Sequence, residues 1–248
     1  MSKVALVTGA ASGIGFATGV ELLKAGHIVY FTDRHPTALT KIGEPLRERA
    51  RAVILDLKSA AQMQQVAGDI LGRHGAIDIL VNNAGISIKG VDGKPQGLLD
   101  ATEEQFFEIM RVNSLALMQM TQLVLPGMIE KRWGRIVNVA SLAGRSKSIV
   151  SGPLYMMSKS SVLGLTRATA AEMGPHGITC NAVAPGRVLS AMTENAAPGV
   201  NDGYAAQIPV RRIGDPIEVA SGIAYLCSEH AGFTNGAVID INGGFFMS

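Results

Sequence analysis

Tyr155 and Lys159 are the side chains whose types and spacing most directly suggest chemistry in this chain. They lie in a run of apolar and small residues, Leu154 to Thr169, with no helix breaker after Pro153. On a helix, residues four apart share a face, so the phenol and the ammonium become neighbours. A nearby cation favours phenolate and lowers a tyrosine pKa from its usual value of ~10. Bringing it to about 7 takes roughly 4 kcal/mol of preferential phenolate stabilisation. One cation a few ångströms away at moderate dielectric supplies that order of energy. The expected chemistry is general acid/base catalysis near neutral pH. Taken alone, the pair fits a solvated helix face as well.

Two polar residues could join them. Ser141 closes the apolar run Arg135–Ser141, at the carboxyl end of an expected strand, where open α/β sheets bind ligands. It has no GxSxG elbow and no histidine near it in sequence, so a hydroxyl that donates a hydrogen bond to a substrate oxygen fits better than a nucleophile. Asn113 falls on an apolar stripe formed by Phe106, Met110, Leu117, Met120 and Val124. A buried amide must find partners, either a helix carbonyl or a polar relay. The histidines at 27, 35, 74, 176 and 230 have no ligand spacing, so no metal is expected.

The elements that position these residues follow from hydrophobic patterning. Runs of strand length at Val4–Thr8, Ile28–Thr32, Ala52–Asp56, Ile77–Asn82, Arg135–Ser141, Thr179–Ala184 and Val238–Ile241 alternate with helical stretches. Near-continuous apolar strands are buried on both faces, as in a parallel sheet. The prediction is a single-domain α/β Rossmann fold over residues 1–248, with a doubly wound parallel sheet of about seven strands and helices on both faces.

The first turn, Thr8-Gly9-Ala10-Ala11-Ser12-Gly13-Ile14-Gly15, stands between a strand and a helix, as a pyrophosphate site requires. Asp33, roughly 20 residues on, suits the adenosine ribose hydroxyls and repels a 2′-phosphate, which favours NAD over NADP. Arg34 beside it could instead meet a phosphate or stack on adenine. Asp56-Leu57 closes the third run, where an adenine ring would lie; Asp56 also suits a helix cap. Asn82-Asn83-Ala84-Gly85 closes the fourth. The long loop from Ile86 to Ala101 is expected to be functional. Thr102-Glu103-Glu104-Gln105 reads as a capping box opening a long helix.

Composition narrows the class. The chain is 47% hydrophobic and 17% charged, with a formal net charge of +2, which argues against a nucleic-acid or membrane-surface role. No apolar run looks long enough for a membrane span, and the start lacks the pattern of a signal peptide. Cys180 and Cys227 read as buried free thiols in a reducing compartment. A cytoplasmic protein is expected.

TGAASGIG at 8–15, NNAG at 82–85, Asn113, Ser141, YMMSK at 155–159 and Pro185-Gly186 together resemble the short-chain dehydrogenase/reductase family, over essentially the whole chain. The resemblance implies that Tyr155 passes a proton to or from the substrate oxygen. Lys159 would depress the tyrosine pKa and hold the nicotinamide ribose, and Ser141 would polarise the carbonyl or alkoxide. Asn113 would anchor a water linking Lys159 to solvent. Gly9, Ser12, Gly13, Ile14 and Gly15 would hold the pyrophosphate and Asp33 the ribose, with Asp56, Leu57, Asn82, Ala84 and Gly85 bordering the adenosine. Pro185, Gly186, Val188 and Ser190 would flank the nicotinamide, with Ser190 where the family usually has threonine.

The implied activity is hydride transfer between NAD(H) and the carbinol or carbonyl carbon of a small alcohol, polyol or hydroxy acid. Alternatives are an NADPH-dependent 3-oxoacyl-(acyl carrier protein) reductase and a non-catalytic NAD-binding protein. The family also implies a substrate lid at about 187–212 and a homotetramer paired through the long helices and the C-terminal segment. The spacing from Ser141 to Tyr155 is one residue longer than the family commonly has, and the Ile86–Ala101 loop is also longer. Lys89, Lys94, Arg145, Lys147 and Arg187 fall in segments expected to rim the substrate mouth, where an anionic hydroxy acid could use one or two of them. The tail Phe245-Phe246-Met247 is expected to be buried in a partner subunit or against the lid.

Overall fold

The computed structural model describes residues 2–90, 95–148, 150–190 and 199–247. Seven parallel strands form one sheet: β1 Val4–Thr8, β2 Ile28–Asp33, β3 Ala50–Ile54, β4 Ile79–Asn82, β5 Gly134–Val139, β6 Ile178–Pro185 and β7 Val238–Ile241. Their order is β3-β2-β1-β4-β5-β6-β7, so chain direction across the sheet reverses between β1 and β4. Such a switch point opens a crevice at the carboxyl ends of the strands.

The helices are α1 Gly13–Lys24, the short α2 Glu44–Arg47, α3 Ala60–His74, α4 Glu103–Met110, α5 Ala116–Lys131, α6 Pro153–Met173, α7 Val200–Ala205 and α8 Pro216–Cys227. One core joins α3, α5 and α6 to a sheet face through Met63, Ile70, Met120, Met128 and Met173. The opposite core joins α1 and α8 through Leu22, Leu23, Val219, Ile223 and Leu226. The approach of α1 to β2 is close: a Cβ on Gly19 would sit 2.1 Å from the Phe31 ring.

Several boundaries differ from the pattern-based expectation. β3 runs Ala50–Ile54 rather than Ala52–Asp56. It is the sheet's edge, pairing only with β2 (Phe31↔Ala52, Asp33↔Ile54), so half-exposed Arg51 and Ala52 stand where a central strand would be buried. β4 starts at Ile79 because Asp78 turns its carboxylate onto the Val4 N–H at 2.8 Å. β5 ends at Val139, and Ser141 instead caps a single 3-10 turn, Leu142–Gly144.

The capping box at Thr102 and Gln105 is present. The helix it opens continues through a π-helical segment, Arg111–Leu115, into α5. That wide turn breaks the regular stripe. Ile109 before it and Val112 within it are buried, whereas the expected Phe106 and Met110 are only half-buried; Asn113, Leu117, Met120 and Val124 are buried as expected. The segment Glu103–Lys131 is long and apolar enough to cross a bilayer, against the sequence reading. Ala116, Met120, Val124 and Met128 of this segment instead pack in the core on the sheet.

Candidate active site

α6 places Tyr155 and Lys159 one turn apart, with the ammonium 5.8 Å from the phenol ring centroid. Lys159 is buried and donates a 2.7 Å hydrogen bond to the Val139 carbonyl at the end of β5. Ser141, two residues beyond, stands near enough to the Tyr155 phenol to lower its pKa, and its oxygen accepts the Ala143 N–H at 3.1 Å. Close approach of this turn to α6 depends on Gly144, where a Cβ would meet the Lys159 carbonyl at 2.7 Å. Phenol, hydroxyl and ammonium therefore converge at the carboxyl edge of the sheet.

The electrostatics differ in one respect from the sequence argument. Burial is the leading influence on Tyr155 and raises its pKa, and the Ser141 hydrogen bond opposes that rise. Burial also lowers the Lys159 pKa to about 8. The expected depression of the tyrosine pKa by its lysine neighbour is therefore not found: Ser141, not Lys159, is the group that opposes the effect of burial.

Asn113 sits in the π turn with both ends of its amide engaged. Its Oδ1 accepts the Ile86 N–H at 2.8 Å, and its Nδ2 donates to the Ile86 carbonyl at 2.9 Å and to Ser158 Oγ at 3.0 Å. Ser158 in turn donates to the Tyr155 carbonyl at 2.8 Å. An extra residue in a helical turn is the kind of irregularity found at functional sites. Here it aims one amide at both the β4–α4 connection and the helix that carries the phenol. A Cβ on Gly85 would meet Lys159 Nζ at 3.3 Å and Asn113 Oδ1 at 3.4 Å, so both polar groups face that glycine.

Across the crevice, the glycine turn fits a dinucleotide pyrophosphate. Gly9 and Gly13 have φ of 64° and 56°, the left-handed region that favours glycine. A Cβ on Gly15 would lie 2.3 Å from the Gly9 carbonyl. Ser12 is the N-cap of α1, yet its side chain makes no capping bond and no acidic residue lies in the first turn. The first N–H groups of α1 and the cap hydroxyl therefore stand open to an anion. Asn83 braces the turn from β4, donating from Nδ2 to the carbonyls of Thr8 and Gly9 at 2.9 Å each. Thr8 Oγ1 accepts the N–H groups of Asn83 and Ala84 at 3.0 and 3.1 Å. At the end of β2, Asp33 accepts the Ala11 and His35 N–H groups at 3.1 Å each, and Arg34 is exposed.

The other expected contacts divide. Asp56 and Leu57 lie in the turn after β3, where Asp56 Oδ1 accepts the Lys58 N–H. Asn82 does not turn its side chain to the crevice: Nδ2 donates to Asn138 Oδ1 at 2.9 Å and Thr121 Oγ1 at 3.3 Å. Asn138 continues this buried ladder to Thr166. Pro185 ends β6, and Gly186 donates its N–H to the Ile241 carbonyl at 2.9 Å. Val188 is buried and bridges to Gly214. Ser190 comes within 3.8 Å of a Cβ on Gly13, which brings the segment after β6 against the pyrophosphate turn.

Among the expected rim cations, Lys94 lies outside the described residues, as do residues 191–198 of the lid. Lys89 and Lys147 are exposed. Arg145 is not a rim cation: it pairs with Asp240 at 3.3 Å and stacks over Phe246 at 5.2 Å. Arg187 donates from Nε to Asn201 at 2.9 Å and stacks over Tyr204 of α7. Phe245 stacks on the other partner of that contact, Tyr204, at 5.1 Å, so this part of the tail is packed against α7, while Met247 is exposed. Among the described residues no cluster of metal-binding side chains occurs.

Thr8, Asn83 and Ser158 stood in the quoted motifs without a role of their own, and Asn138 and Gly144 escaped the sequence reading. Asn83 and Asn138 carried a signal, since each is an amide adjoining or inside a buried apolar strand. Gly144 and Ser158 carried none, because their roles depend on contacts between distant segments.

The chain matches the family model described as Enoyl-(Acyl carrier protein) reductase over residues 9–246. It is 35% identical to the 3-oxoacyl-(acyl-carrier-protein) reductase of Vibrio cholerae, with 99% of this chain and 98% of that protein covered. It is 36% identical to the corresponding reductase of Aquifex aeolicus, with 98% and 97% covered. A solved structure of a 3-oxoacyl-(acyl-carrier protein) reductase from Brucella melitensis superposes with a TM-score of 0.89 at 32% identity, over 99% of this chain and 92% of that one.

Proposed function

We propose that this chain, which belongs to the short-chain dehydrogenase/reductase family, exchanges hydride between NAD(H) and a small alcohol, polyol or hydroxy acid and its ketone. It is an NAD(P)-dependent oxidoreductase acting on CH–OH and C=O groups. The observation that carries the mechanistic reading is the convergence of Tyr155, Ser141 and Lys159 on the crevice that the glycine turn opens.

The nicotinamide supplies the hydride acceptor or donor when bound. Gly9, Ser12, Gly13, Ile14 and Gly15 would hold its pyrophosphate, and Asp33 with Arg34 its adenosine ribose. Asp56, Leu57, Ala84, Gly85 and the backbone of Asn82 would border the adenosine, and Pro185, Gly186, Val188 and Ser190 the nicotinamide. Ser141 donates a hydrogen bond to the substrate oxygen and holds it beside the phenol. In reduction, Tyr155 gives its phenolic proton to that oxygen. The burial that raises its pKa keeps it protonated at neutral pH, the form this direction needs. In oxidation it must first lose that proton, so turnover of the alcohol rises with pH. Lys159 keeps a positive charge next to the phenol below about pH 8 and eases proton loss. Asn113 fixes Ser158 and the Ile86 backbone, and through them the carbonyl side of Tyr155's helical turn.

Asp33 supports NAD over NADP, because a carboxylate at the end of β2 repels a 2′-phosphate. A second reading, reduction of 3-oxoacyl groups on acyl carrier protein with NADPH, is favoured by the names of the relatives. A screen of alcohols, polyols, hydroxy acids and 3-oxoacyl thioesters with both cofactors, followed by absorbance of the reduced nicotinamide, separates the two. Turnover confined to thioesters with NADPH would replace the first reading with the second; no turnover on any of them would favour a non-catalytic dinucleotide-binding role.

We further propose a cytoplasmic homotetramer with no nucleic-acid or membrane partner. An apolar groove of about 550 Å³ runs between α4–α5 and α6, lined by Phe107, Met110, Leu115, Met118, Val162 and Leu165. Phe107 and Leu115 are 60% and 41% exposed on it, which suits pairing through these helices with a second copy. Light scattering of the wild type and of a Leu115→Glu, Leu165→Glu variant tests this; an unchanged mass would count against it.

A further inference from the structure

We infer that Arg187 determines specificity by holding the carboxylate of a small oxo or hydroxy acid, an inference that rests on the hydride-transfer reading above. Arg187 follows Pro185-Gly186 at the carboxyl end of β6. The β5–β6 register pairs Val139 with Val183. Beyond that pair, Ser141 caps the turn that follows β5 and Pro185 ends β6, with Arg187 two residues past it. The guanidinium therefore belongs to the same edge of the sheet as the hydroxyl that would orient the reacting oxygen.

Its surroundings fix the side chain without neutralising it. Nε donates to Asn201 Oδ1 at 2.9 Å, and the guanidinium carbon lies 5.4 Å from the Tyr204 ring centroid. Tyr204 is buried and is itself backed by the parallel ring of Phe245, interplanar angle 15°. Among the described residues, no carboxylate pairs with Arg187 and its Nη groups have no hydrogen-bond partner. The contrast with its neighbours is informative: Arg145 has Asp240, and Arg212 has Glu218. A half-buried guanidinium with no counter-ion among the described residues is costly, and burial lowers the Arg187 pKa accordingly, with Tyr204 opposing.

The groups left over are those that suit a carboxylate. Arginine carries five N–H donors in a planar fork, one of which is spent on Asn201. The remaining Nη edge matches two oxygens of one anion. A phosphate would satisfy the same donors. In an acyl carrier thioester, however, the phosphate lies many bonds from the reacting carbonyl, whereas Arg187 follows β6 at the same edge of the sheet as Ser141. A carboxylate in the same small molecule as the ketone fits that short separation.

The test compares oxobutanoate and oxopentanoate isomers with their methyl esters, on the NADH-loaded wild type and on Arg187→Met and Arg187→Lys. The expected result is that the best acid exceeds its ester in kcat/KM by roughly 30- to 100-fold, the value of a charge-assisted bidentate contact. Arg187→Met removes most of that preference, chiefly through KM, and leaves the ester within about threefold; Arg187→Lys retains part of it. Equal losses on acid and ester, or a wild type that prefers esters, would overturn the inference. So would an acetoacetyl thioester of coenzyme A that loses as much as the acids in Arg187→Met, since the fork would then serve a phosphate. If no ketone is reduced at all, the hydride-transfer reading fails, and the anion site is judged separately by calorimetric titration of the same acids. Identical affinity for wild type and Arg187→Met in that titration would overturn it.

Discussion

Replacing Lys159 with methionine should make the cofactor-free protein more stable at neutral pH while destroying its activity. Burial brings the lysine from 10.5 to about 8. At about 1.4 kcal/mol per unit, keeping the ammonium in the folded state costs about 3 kcal/mol. Methionine is of similar length and has no charge to desolvate. It forfeits the hydrogen bond to the Val139 carbonyl, which offsets about 1 kcal/mol of the gain. The net expectation is about 2 kcal/mol at pH 7, or about 4–8 °C in Tm for a chain of this size.

The sign of the pH dependence follows from linkage. Between about pH 8 and 10.5 the unfolded chain keeps a proton that the folded lysine has released. Wild-type stability therefore rises with pH across that window, and the penalty is fully present below it. The advantage of Lys159→Met should shrink from about 2 kcal/mol at pH 7 to within about 1 kcal/mol at pH 10. Thermal and urea unfolding of both proteins at those two pH values, at one protein concentration, measures this. A variant less stable than wild type at pH 7, or a difference that does not change with pH, would refute the reasoning.

Three further outcomes follow from packing and burial. Gly19→Ala would set a methyl 2.1 Å from Phe31, so it should destabilise the protein by about 1–3 kcal/mol in denaturant melts without changing the reaction's pH profile. Burial pushes the thiols of Cys180 and Cys227 up to about 12, so both should resist a thiol-specific reagent at pH 8 until the protein unfolds, when both react together. Ser141→Ala removes the one side-chain hydrogen bond that lowers the Tyr155 pKa, so it should cut kcat by about a hundredfold and move the alkaline limb of the reduction profile upward.

The fold was largely legible because a parallel sheet buries both faces of its central strands, and β1 and β7 could be read to the residue. Legibility failed where that premise fails. At the edge strand β3 one side of the ladder is open, and the run Ala52–Asp56 placed the strand two residues late. At Asn113 a regular helical period was assumed, and the π turn that presents its amide has no signature in sequence spacing. The approximate meeting place of the residues proposed as catalytic was readable, as was the capping box at Thr102. Their electrostatics were not. The balance between a cation's attraction and desolvation at Tyr155 depends on how deeply both groups are packed, which four-residue spacing does not encode. The rim cations illustrate the same limit: Arg145 and Arg187 look alike in sequence, but among the described residues only the first finds a carboxylate, on β7, nearly a hundred residues away.

The central claim is that the Tyr155 phenol carries the proton that accompanies hydride transfer. Tyr155→Phe keeps the ring and its packing and deletes only the hydroxyl. Turnover of any accepted substrate should fall by about a thousandfold or more, with the affinity for NADH, followed by its fluorescence, unchanged within about threefold. A variant that binds NADH equally well and still turns over within tenfold of wild type would contradict the account.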